Sequence, residues 1–104
     1  MIQFTLEKKW FNKIASGEKR IEYREFKPYW IKRFEKIWGK IFWTAPIYFE
    51  DNTFPCILRL GYTKTFMKAQ IVKMEVVNGL NTDLKVDRKV IAIHLDQVSE
   101  VYNQ

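Results

Sequence analysis

The chain has 104 residues, enough for one domain with a core of its own. With 47% hydrophobic and 16% aromatic residues it falls outside the disordered class, and no apolar run approaches the ~18 residues of a membrane helix. The net charge of +6 lies entirely in the first 40 residues, where eleven Lys and Arg stand against five Glu. That distribution favours a polyanionic partner contacted by the N-terminal part; a basic surface serving solubility alone fits the same charges. The opening MIQFTLEKKW lacks the basic-then-apolar layout of a secretory signal, and Cys56 has no second cysteine to pair with, so a cytoplasmic location is expected.

Residues Ile2 to Leu6 alternate apolar with polar and read as a strand. Lys8 to Ser16 reads as a short helix with Trp10, Phe11, Ile14 and Ala15 on one apolar stripe, stopped by Gly17. Lys19 to Glu25 is the next strand. Pro28 opens a helix in which Trp30, Ile31, Phe34, Ile37 and Trp38 make one face. Lys27, Lys32, Arg33 and Lys36 give that helix a basic outer side, and Gly39 ends it. Beyond residue 40 the pattern turns to strands: 40–48, interrupted by Pro46; a turn at 50–52; then Cys56 to Leu60 and Phe66 to Val77, separated by Gly61-Tyr62-Thr63-Lys64. Asn78 to Asp87 carries turn signals, and Arg88 to Leu95 is a last strand. There is no repeat and no linker. The expected fold is α+β: a single domain over 1–104, a small, mostly antiparallel barrel with two or three flanking helices.

The segment Gly17–Glu25, GEKRIEYRE, holds the main candidate site. Strand alternation places Ile21 and Tyr23 on one side, expected to be the core side, and Glu22 and Arg24 together on the other. Lys19 follows the glycine turn, with a stem long enough to reach either face. Arg offers a planar fork for a phosphate or a base edge. Glu accepts from amino groups or takes a proton, and Lys binds phosphate or, when desolvated, acts as nucleophile or base. The same residues also suit an exposed strand face whose Glu–Arg pair contributes little.

Gly17-Glu18-Lys19-Arg20-Ile21-Glu22-Tyr23-Arg24 resembles the G-x-K-x-x-E-x-R motif of ASCH domains, members of the PUA-like superfamily. The strand and helix before it, Tyr29-Trp30 after it, and Leu58-Arg59-Leu60-Gly61-Tyr62, which resembles an R-x-G-Y stretch of small bacterial and phage ASCH-like proteins, extend the likeness over most of the chain. The resemblance implies a small PUA-like β-barrel whose motif side chains project into a cleft that binds RNA or a modified nucleoside. One branch of the family hydrolyses the amide of N4-acetylcytidine with a Lys, a Thr and a Glu, and another member is described as a ribonuclease. Lys19 and Arg24 match the amidohydrolase branch, but Glu22 stands where it has its Thr, so the hydroxyl nucleophile is missing.

Arg59 and Tyr62 form a second cluster, where Gly61 lets backbone approach a ligand, Tyr62 stacks on a base and Arg59 holds a phosphate; an ordinary hairpin turn fits the same residues. Lys9 is placed on the rim of the cleft, and Trp10 in the core. Cys56 and His94, the only residues of their types, show no local pattern of a nucleophilic pair. Asp83, Asp87 and Asp96 are scattered, and neither a metal nor a cofactor is expected. The leading reading is an RNA- or nucleotide-binding domain with Lys19, Glu22 and Arg24 on the cleft floor and Arg59 and Tyr62 on its wall. A hydrolase acting on RNA or a modified nucleoside, ribonuclease or amidohydrolase, with Lys19 and Glu22 as the proton-transfer pair, is the alternative. A third reading is a protein-interaction or regulatory module in which the basic helix meets an acidic protein.

Overall fold

The computed structural model describes residues 2–39, 46–48 and 53–103. They form an α+β fold with six strands, two α-helices and a 3-10 turn: β1 (Ile2–Leu6), α1 (Lys8–Ala15), β2 (Ile21–Glu25), α2 (Pro28–Trp38), β3 (Ile47–Tyr48), β4 (Phe54–Leu60), β5 (Phe66–Asn78), the turn Gly79–Asn81, and β6 (Lys89–Asp96). Of the strand expected over 40–48, residues 40–45 lie outside the described residues, as does the turn expected at 50–52, and Ile47–Tyr48 form β3. The chain divides into two compact units, one of Met1–Arg20, Phe49–Val72 and Leu95–Gln104, the other of Ile21–Tyr48 and Lys73–His94.

In the first unit β1 alternates strictly, burying Ile2, Phe4 and Leu6. It pairs parallel with β4, from Ile2 opposite Cys56 to Leu6 opposite Leu60. A parallel pair needs a long crossover, and here the whole chain between β1 and β4 supplies it. The neighbouring strand β5 runs antiparallel to β4, from Phe54 opposite Ile71 to Arg59 opposite Phe66. A Gly61 turn at φ +53° closes that hairpin. Phe4, Ile14, Leu58, Met67 and Ile71 are fully enclosed. On α1 the buried stripe is narrower than its sequence pattern: Phe11 and Ile14 are buried, Ala15 is exposed, and Trp10 is half-buried rather than in the core. The helix ends where Gly17 turns left-handed at φ +86°, a conformation other residues adopt at a cost.

In the second unit the strand order is β5-β6-β2, with β3 on β5. Both registered pairs are antiparallel: Ile21 opposite His94 to Glu25 opposite Val90, and Ile47 opposite Met74. Val90, Ile91, Ala92 and Ile93 are buried without a break. This continuous burial explains why β6 reads as an apolar run instead of an alternation. Pro28 takes a first-turn position of α2, where Trp30 stacks on Phe34 at 5.7 Å between ring centres and Trp38 meets Phe34 tilted by 38° at 5.6 Å. Phe34 is the enclosed member of that column, and Ile37, expected on the same face, is exposed.

Candidate functional site: a cation–aromatic cleft beside β2

Strand β2 positions the site. Glu22 and Arg24 share a side of it, and Nη2 of Arg24 donates to Oε2 of Glu22 at 2.8 Å. Burial is the reverse of the expected one. Glu22, at 6% exposure, is the one buried charged residue among those described, while Ile21 and Tyr23 are only half-buried. A carboxylate tolerates such burial when its charge is met and its lone pairs are occupied. Arg24 meets the charge, and the backbone N–H of Tyr23 donates to Oε1 at 3.2 Å.

The guanidinium of Arg24, fixed by Glu22, lies 5.1 Å from the centre of the Trp30 ring. Trp30 meets Tyr29 edge to face at 5.0 Å, and Arg33 lies over Tyr29 at 4.4 Å. Arg24, Trp30, Tyr29 and Arg33 thus form a ladder with a cation at each end, and Tyr29 is 59% exposed. The ladder borders an open cleft of about 370 Å³ that Tyr23, Arg24, Lys27, Tyr29, Trp30 and Leu84 line together with Glu25. Glu25 holds Lys27 at 3.2 Å and Arg88 at 3.4 Å. The cleft therefore offers flat aromatic and guanidinium surface beside cations, the chemistry that receives a base and a phosphate.

Of the residues singled out in the sequence, Glu22 and Arg24 are joined here. Lys9 and Lys19 are joined elsewhere, with their ammonium groups 4.7 and 5.0 Å from the centre of the Trp10 ring. Arg59 serves its own hairpin: Nη1 donates to the Thr63 carbonyl at 3.2 Å, and the guanidinium lies 5.5 Å from the Phe66 ring. Tyr62, at the hairpin tip, is 98% exposed. Sequence reasoning missed Tyr29, Trp30, Lys27 and Leu84 as cleft residues. The available signal was a pair of aromatics in the first turn of a helix directly after the charged strand, Pro28-Tyr29-Trp30.

Three further titratable positions bear on chemistry. Burial pushes the Cys56 thiol up to about 12, an effect that a backbone hydrogen bond from Ala69 only partly offsets. The thiol stays protonated at neutral pH and is a poor nucleophile. In the second unit Glu75 bridges Lys73 at 3.0 Å and His94 at 3.4 Å. Burial alone raises its carboxyl, but the hydrogen bonds and charges of Lys73 and His94 outweigh this and hold it below its ordinary 4.5. Tyr23 is raised, first by burial and then by the negative charges of Asp83 and Glu75. A carboxyl lowered in the folded state stabilises fully above its unfolded value and loses that contribution as pH falls through the folded value. Glu75→Gln is therefore expected to cost about 1 kcal/mol at pH 7. In urea titrations the gap from the unsubstituted protein should narrow as pH falls below the ordinary carboxyl value of 4.5 and close once the folded-state carboxyl is protonated; a gap that does not change between neutral and strongly acid pH would deny the ion pairs their role.

Among the described residues no group of three or more His, Cys, Asp or Glu is placed to hold a metal ion, and no helix is long and apolar enough to cross a membrane. No family model, curated protein or solved structure matches the chain.

Proposed function

We propose that this chain is an RNA- or nucleotide-binding domain of ASCH-like type on a PUA-like barrel, and that its ligand enters the cleft beside β2. The observation that carries this reading is the Arg24 guanidinium over the Trp30 ring, with Tyr29 and Lys27 on the same cleft. Stacked aromatic and guanidinium planes take bases irrespective of sequence, and the adjoining cations take phosphate. The motif Gly17–Arg24 and the positive charge concentrated in the first 40 residues support the same ligand. Engagement of Glu22 favours binding over proton transfer, because Oε2 already accepts from Arg24 Nη2 and Oε1 from the Tyr23 N–H.

The test is titration of the full chain with nucleoside monophosphates and a short single-stranded RNA, followed by tryptophan fluorescence. Arg24→Lys keeps the charge but loses the planar stack, and Trp30→Leu removes the platform. Each is expected to weaken binding about tenfold while thermal melting stays cooperative, in keeping with ~1–3 kcal/mol for one stacked base. Folded variants that bind as tightly as the unsubstituted protein would overturn the reading.

A further inference from the structure

The first unit gathers positive charge around one indole. Lys9 and Lys13 are one helical turn apart on α1, with Trp10 between them, and their ammonium groups lie 4.7 and 5.4 Å from the ring centre. Lys19 completes the group from outside the helix at 5.0 Å. Its return is built into the backbone. Gly17 reverses the chain at φ +86°, the Lys19 N–H donates to the Lys13 carbonyl at 3.1 Å, and Arg20 Nη1 donates to the Ile14 carbonyl at 2.8 Å. Three ammonium groups so placed lie within about 10 Å of one another, each attracted to the ring and each repelling the other two. Glu18 approaches Lys13 at 3.9 Å but is largely exposed, so water screens that pair.

The same unit carries the most exposed aromatic side chain among those described. The Gly61 N–H donates to the Leu6 carbonyl at 2.8 Å, which ties the β4–β5 hairpin to the residue two places before α1. Tyr62 at the tip of that hairpin is 98% exposed. A compact group of ammonium ions meets one ligand chemistry well: several phosphate groups carried on one chain. An exposed tyrosine on the same unit suits a base.

We infer that Lys9, Lys13 and Lys19 around Trp10 form a binding site for a chain of phosphates, with Tyr62 as the stacking surface for a base attached to that chain. The proposal deepens the nucleic-acid reading by making the ligand a polymer instead of a single nucleotide, and it stands on residues separate from the cleft. Two sources share the chemistry, a single-stranded nucleic acid and a free polyphosphate.

The experiment titrates the full chain with sodium tripolyphosphate by calorimetry and with a labelled oligouridylate by fluorescence anisotropy, from low to moderate salt. The triple variant Lys9→Gln/Lys13→Gln/Lys19→Gln keeps stems over the indole while removing the charges, and circular dichroism confirms its fold. It is expected to bind both ligands at least tenfold more weakly, with the salt dependence of oligonucleotide binding shallower by about 2, at ~0.7 per phosphate contact. Tyr62→Ala is expected to weaken oligonucleotide binding alone, which assigns the site to nucleic acid. If Tyr62→Ala affects neither ligand while the triple variant loses both, the phosphate site stands and its source is free polyphosphate. A triple variant that binds like the unsubstituted protein, or an unsubstituted protein that binds neither ligand, overturns the proposal. Mononucleotide titration with Arg24→Lys reports on the cleft separately: tripolyphosphate binding without mononucleotide binding would sink the cleft reading and leave this site in place.

Discussion

Arg24→Ala is expected to lower the unfolding free energy by about 3 kcal/mol, a large share of the ~5–15 kcal/mol of a domain this size. The reason is Glu22. The residue is 6% exposed and its carboxylate takes a 2.8 Å hydrogen bond from Arg24, so truncation removes a charge that makes its burial tolerable. The pair itself need not be strongly stabilising, because two desolvated charges return little more than their burial costs. Glu22→Leu/Arg24→Met is therefore expected to be more stable than Arg24→Ala and close to the unsubstituted protein, with single costs that fail to add. Urea denaturation of the unsubstituted protein, Glu22→Leu, Arg24→Met and the double variant measures this coupling, with Arg24→Ala beside them. An Arg24→Ala midpoint equal to that of the unsubstituted protein would show that Glu22 is not held in the way described. The same argument decides how binding is to be tested at this position. Alanine would confound ligand loss with unfolding, whereas Arg24→Lys keeps the charge beside Glu22 and removes only the planar group over Trp30.

Local periodicity made much of the fold legible. Helix α2 spans the residues its Pro28 start and Gly39 stop mark out, and α1 ends one residue before its expected end. Strands β1, β4, β5 and β6 lie where the alternating and apolar runs place them, to within two residues. Pairing was less legible, since the parallel register of β1 with β4 joins segments with half the chain between them. In β2 alternation does show that Glu22 and Arg24 share a side. It does not show which side is inside. The apolar rule assigns Ile21 and Tyr23 to the core, yet a hydrogen-bonded ion pair allowed the opposite outcome. Trp30 poses the same difficulty. On a helical stripe it reads as core, but Phe34 takes the enclosed position, and Trp30, in the first turn, is left bordering the cleft. Leu84 gave no signal, because its place on the cleft wall depends on how the loop after β5 folds back.

That loop turns on Gly79, and Gly79→Ala is the substitution expected to disturb it most. The Gly79 N–H donates to the Arg88 carbonyl at 2.8 Å, while its own carbonyl accepts from Thr82 Oγ1 at 2.7 Å and from the Val86 N–H at 3.3 Å. Asn78 braces the entry by accepting from the Leu80 N–H at 2.8 Å. These bonds draw the loop so close that a Cβ at position 79 would lie 2.7 Å from the Val86 carbonyl oxygen and 2.8 Å from methyl groups of both Val86 and Val90. Backbone is one of the obstacles, and Val90 belongs to the fully buried run of β6, so rotamer changes alone do not relieve the overlap. The expected cost is about 3 kcal/mol, the upper end for one added methyl in a close-packed interior. The effect should reach the site as well, since the loop carries Leu84 to the cleft wall and brings Arg88 to 3.4 Å from Glu25. Gly79→Ala is thus expected to lower both the urea midpoint and affinity for the ligand proposed for the cleft. Leu84→Ala, which truncates only the wall, should weaken binding with a smaller loss of stability. A Gly79→Ala protein with unchanged midpoint and unchanged affinity would show that the loop can move off β6 freely and that its packing does not shape the cleft.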